Sequence, residues 1–445
     1  MFDDPLRGRN PFAVARYVRS RNAPCPVCGG PASIEASVKD DEVIAKCPCA
    51  KCGDSPLVVS VSDDGDIVLT FNGAEYQPTF EEREAALCDG SDVRSAAEKF
   101  TSAARACSPA GRPAKAVSLL KQVADMFRSE IGSEGWEDAA DGCLKAVIEA
   151  AQILSENGNP SEAITLMEGY SDVTPDSPTG IDFKVASAIA HLRAGDPRDS
   201  VRELRSLLEG NTLDPMVDSD PYVRIHVNEA LGTILVSKPD PKGAMRCYDS
   251  AIREVSKLPL DYDEPLRVLC RITGEYADAA VNAQMDKKAT EAIKNMIKVC
   301  KASKDTFPMA YAEALLQRAR YLNNVDAIDP GLRDSMNEAI AILEAPDEGG
   351  LYDRLLPLAY YYRSASSGRK DVLDIEDLAK AYEILRDGLV SGTLPDGVMQ
   401  SVSETYVQYL DLFDRERSVQ VRGELANLGF FFPPPPELKE QQGPE

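Results

Sequence analysis

The feature that most constrains this chain is a motif that recurs along most of its length. From Ser91 to Gly429 the apolar residues follow a helical period, in alanine-rich segments separated by short polar breaks. Three of the breaks resemble one another, and each places a proline at or beside the start of the next helix: SENGNPSEA, RAGDPRDS and SKPDPKGA. Repetition of this kind predicts a stack of helical hairpins, because one hairpin cannot bury its apolar face without the next.

The positions that repeat are small residues, which allow two helices to approach closely. A small residue early in each second helix is followed four positions later by a larger apolar one, in the pairs Ala116 and Leu120, Ala163 and Met167, Ser200 and Leu204, Ala244 and Tyr248, Ala292 and Met296, Ala339 and Leu343, and Ala381 and Leu385. For the first five pairs, another small residue stands twelve positions before the first: Ala104, Ala151, Ala188, Gly232 and Ala280. Bulk is excluded where two helix backbones meet, so the pattern predicts hairpins packed through these positions.

The repeats resemble the tetratricopeptide repeat (TPR) family. The repeat that matches best reads LGTIL…AMRCYDSA, in which Leu231 and Gly232 match the family's Leu-Gly pair, and Ala244 and Tyr248 match its second helix. The resemblance implies a mainly α fold, with an α-solenoid of about seven TPR-like hairpins over residues 91–429. It also implies a concave groove, lined by the first helix of each hairpin, that binds peptides or other proteins.

The groove register of that family selects eight residues in four successive first helices. They are Ile148, Gln152, Val185, Ile189, Glu229, Thr233, Ala277 and Val281. The set of lysines and asparagines with which the family's clamp grips acidic C-terminal tails is missing from the sequence. A groove of such mixed polarity favours a helical or extended partner segment with an apolar face, and the net charge of −24 favours a basic one.

Five cysteines are concentrated near the N-terminus. CPVCGG carries Cys25 and Cys28, and CPCAKCGD carries Cys47, Cys49 and Cys52. Two Cys-x2-Cys pairs separated by twenty residues have the spacing of a four-thiolate zinc site. The segments SIEASV and EVIAKC alternate in polarity around the turn KDD, and LVVSVS follows as a third strand. The pattern predicts a small β domain that holds a metal ion.

This part of the chain, residues 23–75, resembles the zinc-ribbon family. We expect Cys25, Cys28, Cys49 and Cys52 to bind one structural zinc ion, with Cys47 as a spare thiol or an alternative ligand. Four sulfur ligands close the coordination shell and leave no position for water or substrate, so the ion would stabilise a domain too small to bury much core. Ribbon and linker together are predicted to cover residues 23–90.

The two ends of the chain differ in composition from the repeats. Residues 1–22 hold five arginines against two aspartates, so they form a basic arm that either contacts nucleic acid or folds back onto the acidic body of the protein. At the other end, Pro433–Pro436 impose an extended conformation and end the helical array. The three phenylalanines just before them cap the last repeat or offer a short linear motif, within a Phe/Pro-rich tail that covers residues 430–445.

Composition and motif content argue against several classes of function. A chain with 73 acidic and 49 basic residues repels phosphate backbones and anionic membranes at long range. No run approaches the roughly 18 apolar residues of a membrane-spanning helix. The histidines His191 and His226 fall on different repeats without a nucleophile motif, and no glycine-rich phosphate loop is present. Eleven cysteines, an odd number, favour a reducing compartment, so we expect a cytoplasmic protein.

We therefore expect a non-catalytic scaffold or adaptor that binds partner proteins through its solenoid and carries a structural zinc ribbon. The alternative is a factor that binds nucleic acid or a ribonucleoprotein through the ribbon and the basic arm, with the solenoid as a tether. The ribbon itself is acidic, since carboxylates outnumber lysines over residues 23–75. That charge makes the nucleic-acid alternative the weaker of the two.

Overall fold

The computed structural model describes most of the chain, namely residues 5–39, 42–88, 93–108, 111–133, 138–174, 177–209, 213–217, 220–325, 327, 329–345, 352–366, 374–391, 396–428, 430 and 432. It divides into two compact units. Met1–Phe80 and Asp347–Glu445 form the first unit, and Glu81–Pro346 form the second. The predicted polyproline segment Pro433–Pro436 and the tail that follows it lie outside the described residues.

The first unit contains an antiparallel sheet whose six described strands follow one another in chain order. A short helix, α1 (Pro11–Val18), precedes them. The strands are β1 (Ser20–Pro24), β2 (Pro31–Lys39), β3 (Glu42–Cys49), β4 (Gly53–Val61), β5 (Ile67–Phe71) and β6 (Ala74–Glu75). The segments SIEASV, EVIAKC and LVVSVS lie in β2, β3 and β4, so the predicted hairpin and third strand are confirmed.

One face of the sheet forms a small core with α1. In β4 the buried residues Leu57, Val59 and Val61 alternate with the exposed Val58, as expected of a strand with one buried face. Val14 of α1 belongs to the same cluster of buried side chains. Thirteen buried residues of the described part of the chain make up this cluster, all of them between Leu6 and Tyr76.

The arginines of the N-terminal segment contact the protein's own first unit. Arg7 forms an ion pair with Asp63 in the loop between β4 and β5. Arg19 Nε donates a hydrogen bond to the carbonyl oxygen of Ala36 in β2, at 2.9 Å. In the structure this segment is folded against the sheet, and α1 packs on β2 and β3.

The second unit is helical. Its helices are α2 (Phe80–Ala86), α3 (Val93–Cys107), α4 (Pro113–Glu130), α5 (Ala139–Glu156), α6 (Pro160–Glu168), α7 (Pro178–Arg193), α8 (Arg198–Glu209), α9 (Asp214–Val217), α10 (Val223–Ser237), α11 (Pro241–Val255), α12 (Asp263–Asn282), α13 (Asp286–Ala302), α14 (Pro308–Asn324) and α15 (Leu332–Leu343). A 3-10 turn at Ser171–Val173 follows α6. Proline occupies the first position of α4, α6, α7, α11 and α14, where its missing N–H costs no hydrogen bond.

The first unit ends in four more helices. They are α16 (Tyr352–Ser364), α17 (Ile375–Ser391), α18 (Asp396–Phe413) and α19 (Arg415–Ala426). Arg16 of α1 is buried and donates from Nη1 to the carbonyl oxygen of Leu428, just after α19, at 3.0 Å. Its guanidinium also lies 5.4 Å from the centre of the Phe430 ring. None of the described helices is long and apolar enough to cross a membrane.

Consecutive helices of the second unit pack as hairpins: α3 with α4, α5 with α6, α7 with α8, α10 with α11, α12 with α13 and α14 with α15. First helices also pack on one another, α5 on α7, α7 on α10 and α12 on α14. The predicted fold, an α-solenoid of TPR-like hairpins preceded by a small β domain, is confirmed. The packing is local in sequence because each hairpin mainly contacts the next.

The repeating small residues are buried between the helices, except Ala292 of α13, which is half-buried. Fully buried positions include Ala104, Ala116, Ala163, Ala244, Ala280, Ala339 and Ala381, each 0 % exposed. At Gly232 an added Cβ would lie 2.7 Å from the ring of Tyr248, which is itself 0 % exposed. The ring of Tyr248 thus fills the space that Gly232 leaves open.

The hairpin formed by α18 and α19 contains none of the seven pairs of small and large residues found in the sequence. Ser418 occupies the small position of α19 and is 0 % exposed. Four residues later stands Arg422, which forms an ion pair with Asp411 of α18 at 2.6 Å, while Ser418 Oγ donates to the same aspartate. A polar contact here replaces the apolar one, so a search for apolar pairs misses this hairpin.

Candidate metal centre and interaction cleft

Two turns at one end of the sheet bring four thiols together. Cys25 and Cys28 lie in the connection from β1 to β2, and Cys49 and Cys52 flank the turn from β3 to β4. These four strands are antiparallel neighbours in chain order, so the two turns lie at the same end of the sheet. The four Sγ atoms all lie within 4.8 Å of one another, and those of Cys28 and Cys49 are 3.8 Å apart.

The two turns share a backbone feature, and the second turn stabilises the thiolate of Cys49. Gly29 (φ 70°) and Gly53 (φ 77°) each follow a cysteine in the left-handed conformation, which other residues rarely adopt. In the second turn the backbone N–H groups of Lys51 and Cys52 donate to the sulfur of Cys49 and lower its pKa to about 7. A thiolate is the form of cysteine that binds a metal ion.

The sulfur spacing fits a tetrahedral metal ion. With metal–sulfur bonds of about 2.3 Å, neighbouring sulfurs of a regular tetrahedron lie about 3.8 Å apart, which is the distance between Cys28 and Cys49. A disulfide would bring two sulfurs to about 2.05 Å, and all eleven cysteines are free. The four cysteines can therefore bind one metal ion, and four soft thiolate donors in this spacing are typical of zinc.

Cys47 lies outside this set of four. It is 0 % exposed and belongs to the apolar cluster beneath the sheet. Burial raises the pKa of its thiol, which favours the neutral form. The structure therefore gives Cys47 the environment of a small core residue.

A cleft of about 960 Å³ in the second unit contains most of the residues selected by the TPR groove register. Its lining includes Ile148 and Gln152 of α5, Val185 and Ile189 of α7, and Glu229 and Thr233 of α10. These helices pack on one another in the order α5, α7, α10. The lining side chains come from the exposed side of that stack, and we refer to this cavity as the cleft.

The last two residues of the register lie elsewhere. Ala277 of α12 is 1 % exposed and Val281 is half-buried, and neither lines the cleft. α12 packs on α11, α13 and α14 rather than continuing the stack of α5, α7 and α10. Arg271, six residues before Ala277, is the side chain that α12 contributes to the cleft.

Charged side chains border the apolar floor of the cleft, and four of the eight are paired with each other. Arg105 binds Glu149 through two hydrogen bonds of 2.9 and 3.0 Å. Arg271 forms an ion pair with Glu229. Lining residues of both signs are present in equal number, with Arg105, Lys145, Arg193 and Arg271 against Glu149, Glu156, Asp182 and Glu229. The cleft is thus amphipathic and close to neutral in a strongly acidic chain.

His226 also lines the cleft, and its ring bonds to a carboxylate. Nδ1 of His226 lies 3.2 Å from Asp182 Oδ1, and the ring stacks on Tyr222. Among the described residues, no serine or cysteine hydrogen-bonds to this ring, which is the contact that nucleophilic catalysis requires. The pair is suited to holding α7 and α10 together at the edge of the cleft.

Sequence reasoning missed several lining residues that lie one helical turn from the selected ones. Lys145, Asp182 and His226 stand three positions before a selected residue, and Arg193 stands four positions after one. Residues three and four apart share one face of a helix. Extending the register by one turn in each direction would have found them.

No protein-family model matches this chain, and no curated protein matches it. Among solved structures, nearly identical TPR-like repeats of a kinesin light chain from Podosopora anserina are 18% identical, with a TM-score of 0.36 over 47% of this chain and 96% of that one. The apo form of RapI is 10% identical, with a TM-score of 0.44 over 76% of this chain and 86% of that one.

A signal-transduction ATPase with a tetratricopeptide repeat sensor, from Pyrococcus horikoshii, is 14% identical to this chain. Its TM-score is 0.39 over 78% of this chain and 51% of that one. All three TM-scores are below 0.5, so the fold assignment depends on the helix packing described above.

Proposed function

We propose that this protein is a non-catalytic scaffold or adaptor that binds a segment of a partner protein in the cleft. The observation that carries the proposal is the cleft itself, an apolar floor built by three stacked first helices and edged by paired charges. An elongated apolar surface with a polar edge suits a helix or an extended segment with one apolar face. The pairing of Arg105 with Glu149 and of Arg271 with Glu229 keeps the edge charged without leaving a buried charge uncompensated.

The partner segment is proposed to carry basic residues beside its apolar face. The whole chain has a net charge of −24, which attracts basic partners at long range and speeds their encounter. Within the cleft the lining charges balance, so affinity there depends on apolar contact with residues such as Val185 and Ile189. The net charge thus speeds the encounter with a basic segment, and apolar contact in the cleft provides the affinity.

The metal proposed for the four-cysteine cluster is one structural zinc ion. Cys25, Cys28, Cys49 and Cys52 would hold it and so tie the β1–β2 turn to the β3–β4 turn. Four protein ligands leave no open coordination position, which supports a structural role. The eleven free cysteines support the proposal of a reducing compartment, the cytoplasm.

Affinity capture from native lysate, with and without nuclease, tests the scaffold proposal. Two single variants in the second unit make a matched pair: Ile189→Glu places a charge on the cleft floor, and Val236→Glu places it on an exposed position of α10 outside the cleft. We expect a set of proteins to be captured by the natural chain and by Val236→Glu, to persist through nuclease, and to be lost with Ile189→Glu. Circular dichroism checks that both variants are folded.

Three outcomes would contradict the proposal. Turnover of a substrate by protein freed of every copurifying chain would make it an enzyme. Capture that is unchanged in Ile189→Glu would place the interaction outside the cleft. Capture that collapses with nuclease would favour the nucleic-acid alternative, although Arg7, Arg16 and Arg19 of the arm are already engaged within the first unit.

A further inference from the structure

A second cavity, of about 810 Å³, lies in the second unit and shares no lining residue with the cleft. Its floor comes from α12 and its walls from α11 and α13, so we name it the α11–α13 groove. The α11 wall is built by Lys242, Met245, Arg246, Asp249 and Ile252, with Ser256 at the C-cap of the helix. The α13 wall is built by Lys288, Glu291, Ala292, Asn295, Met296 and Val299. Positions spaced three or four apart define one face of each helix.

The α11–α13 groove has the length of a short helix. α11, α12 and α13 are joined by short loops, so successive helices are antiparallel and α11 runs in the same direction as α13. From Lys242 to Ser256 the α11 wall extends for fourteen residues, which at 1.5 Å each is about 21 Å, or four helical turns. A groove between two parallel helices over a third is the shape that accepts another helix.

The apolar part of the groove is rich in methionine. Met245, Met285 and Met296 line it together with aliphatic side chains of all three helices. Methionine is unbranched and polarisable, so it adapts its shape to a docked apolar side chain. This composition suits the apolar face of a partner helix better than a rigid small ligand.

The floor carries a hydroxyl that the protein itself does not use. Thr273 is 2 % exposed and lines the groove, yet it makes no hydrogen bond to any described residue. Helical threonines elsewhere in the chain donate to the carbonyl four residues earlier, as Thr233, Thr290 and Thr405 do. The hydroxyl of Thr273 is therefore left for water or for a polar group of the groove's occupant to bond.

Positive charge is concentrated at one end of the groove. Lys242 and Arg246 lie in the first two turns of α11, and Lys288 lies in the first turn of α13. None of the three has an ion-pair partner among the described residues. Two carboxylates stand against these three cations, Asp240 as the N-cap of α11 and Asp286 in the first turn of α13. The cations remain in excess, so this end attracts carboxylates although the chain as a whole is acidic.

We propose that the α11–α13 groove is a second docking site, which binds an amphipathic helix of a partner protein with leucine-like residues on one face and acidic residues at the end beside Lys242, Arg246 and Lys288. This site differs from the cleft in its helices and in the charge of its partner. Occupied together, the two sites would let one copy of the chain join a basic segment to an acidic one.

Fluorescence anisotropy with two designed peptides tests the proposal. Both peptides are labelled amphipathic helices of four turns with leucine on one face, and they differ only in a first turn that carries three glutamates or three lysines. We expect the glutamate peptide to bind about tenfold more tightly, because three partly exposed ion pairs together supply about 1.4 kcal/mol. The preference should weaken as salt is raised.

Reversal of three surface charges tests whether the peptides bind in the α11–α13 groove, without disturbing the core. The triple variant Lys242→Glu, Arg246→Glu and Lys288→Glu changes exposed residues and should make the lysine peptide the tighter ligand. The control triple variant Lys287→Glu, Lys294→Glu and Lys301→Glu makes the same change on exposed positions of α13 that do not line the groove, and it should keep the glutamate preference.

Blocking the floor gives a second readout. Thr273→Phe extends a ring into the groove and should abolish binding of both peptides, with the folded state checked by circular dichroism. The cleft variant Ile189→Glu should leave peptide affinity unchanged, so failure of the cleft proposal and of this one can be told apart. Absence of binding by either peptide, or equal binding that is insensitive to the charge reversal, overturns the proposal.

Discussion

Tyr248 fills the space that a side chain at position 232 would need. The ring lies 2.7 Å from the place of a Cβ on Gly232, which no real Cβ tolerates, so either the ring or the helix must move if one is added. Of the residues that carry the TPR resemblance, this pair has the sharpest physical requirement. A small residue in α10 and a large one in α11 are two halves of one contact.

Replacement of Gly232 by alanine should therefore destabilise the second unit. Alanine gains about 1 kcal/mol of helix propensity over glycine, but crowding in a packed core costs about 1–3 kcal/mol, so we expect a net loss of about 1 kcal/mol. Gly423→Ala in α19 is the matched control, because nothing lies within 4 Å of the added carbon. It should stabilise the first unit by about 1 kcal/mol.

Urea unfolding followed by circular dichroism measures both changes through the transition midpoints. A rise in midpoint for Gly232→Ala equal to that for Gly423→Ala would show that Tyr248 moves aside freely. In that case close packing would not explain the small residue at this position.

The four-cysteine cluster depends on two hairpin turns of the sheet and not on any single residue. Each turn by itself is a short loop with two cysteines and a left-handed glycine, and only their meeting at one end of the sheet assembles four sulfurs. The sheet has a small apolar core on one face, so the zinc ion proposed for these turns would add to its stability. The second unit contains none of these ligands.

Removal of the metal should therefore unfold the sheet and leave the second unit's helices intact. We expect one zinc per chain by elemental analysis, lost in Cys28→Ser and retained in Cys47→Ser and in Cys88→Ser, a control outside the cluster. On chelation, the backbone amides of the strands should lose their protection from hydrogen exchange, while the helical circular dichroism signal changes little. Zinc content that survives Cys28→Ser, or helices of the second unit that melt with the metal, would contradict this assignment.

At the scale of the whole molecule, the two ends of the chain belong to one unit. Arg16 links them, since it is buried near the N-terminus and bonds to the carbonyl of Leu428, more than four hundred residues later. A buried guanidinium in such a contact is a structural residue, because it has already left water and satisfied its charge with a carbonyl and an aromatic ring.

The variant Arg16→Ala should loosen the C-terminal end of α19. We expect faster hydrogen exchange over Leu425–Leu428 because the carbonyl of Leu428 loses its donor, with no change in α5 or α7 of the second unit. Arg19→Ala is the control, since Arg19 bonds to Ala36 within the sheet. Equal effects of the two variants on α19 would argue against a specific link through Arg16.

The helices, their order and the four-cysteine set were predictable because each depends on residues close together in sequence. Period 3.6, proline at helix starts and small residues at fixed spacing define a hairpin locally, and the two Cys-x2-Cys turns are local as well. The hairpin of α18 and α19 was not predicted, because Ser418 and Arg422 of α19 contact α18 through the polar side chain of Asp411.

The sequence alone thus determined the solenoid, the sheet and the thiols, all of them products of short-range pattern. Only the tertiary structure decided which faces stay open. α12 leaves the stack of α5, α7 and α10, so Ala277 is buried and Arg271 borders the cleft. The same packing separates α11 from α13 and opens the methionine-lined groove. Surfaces of this kind depend on how distant helices are spaced, and no local period encodes that distance.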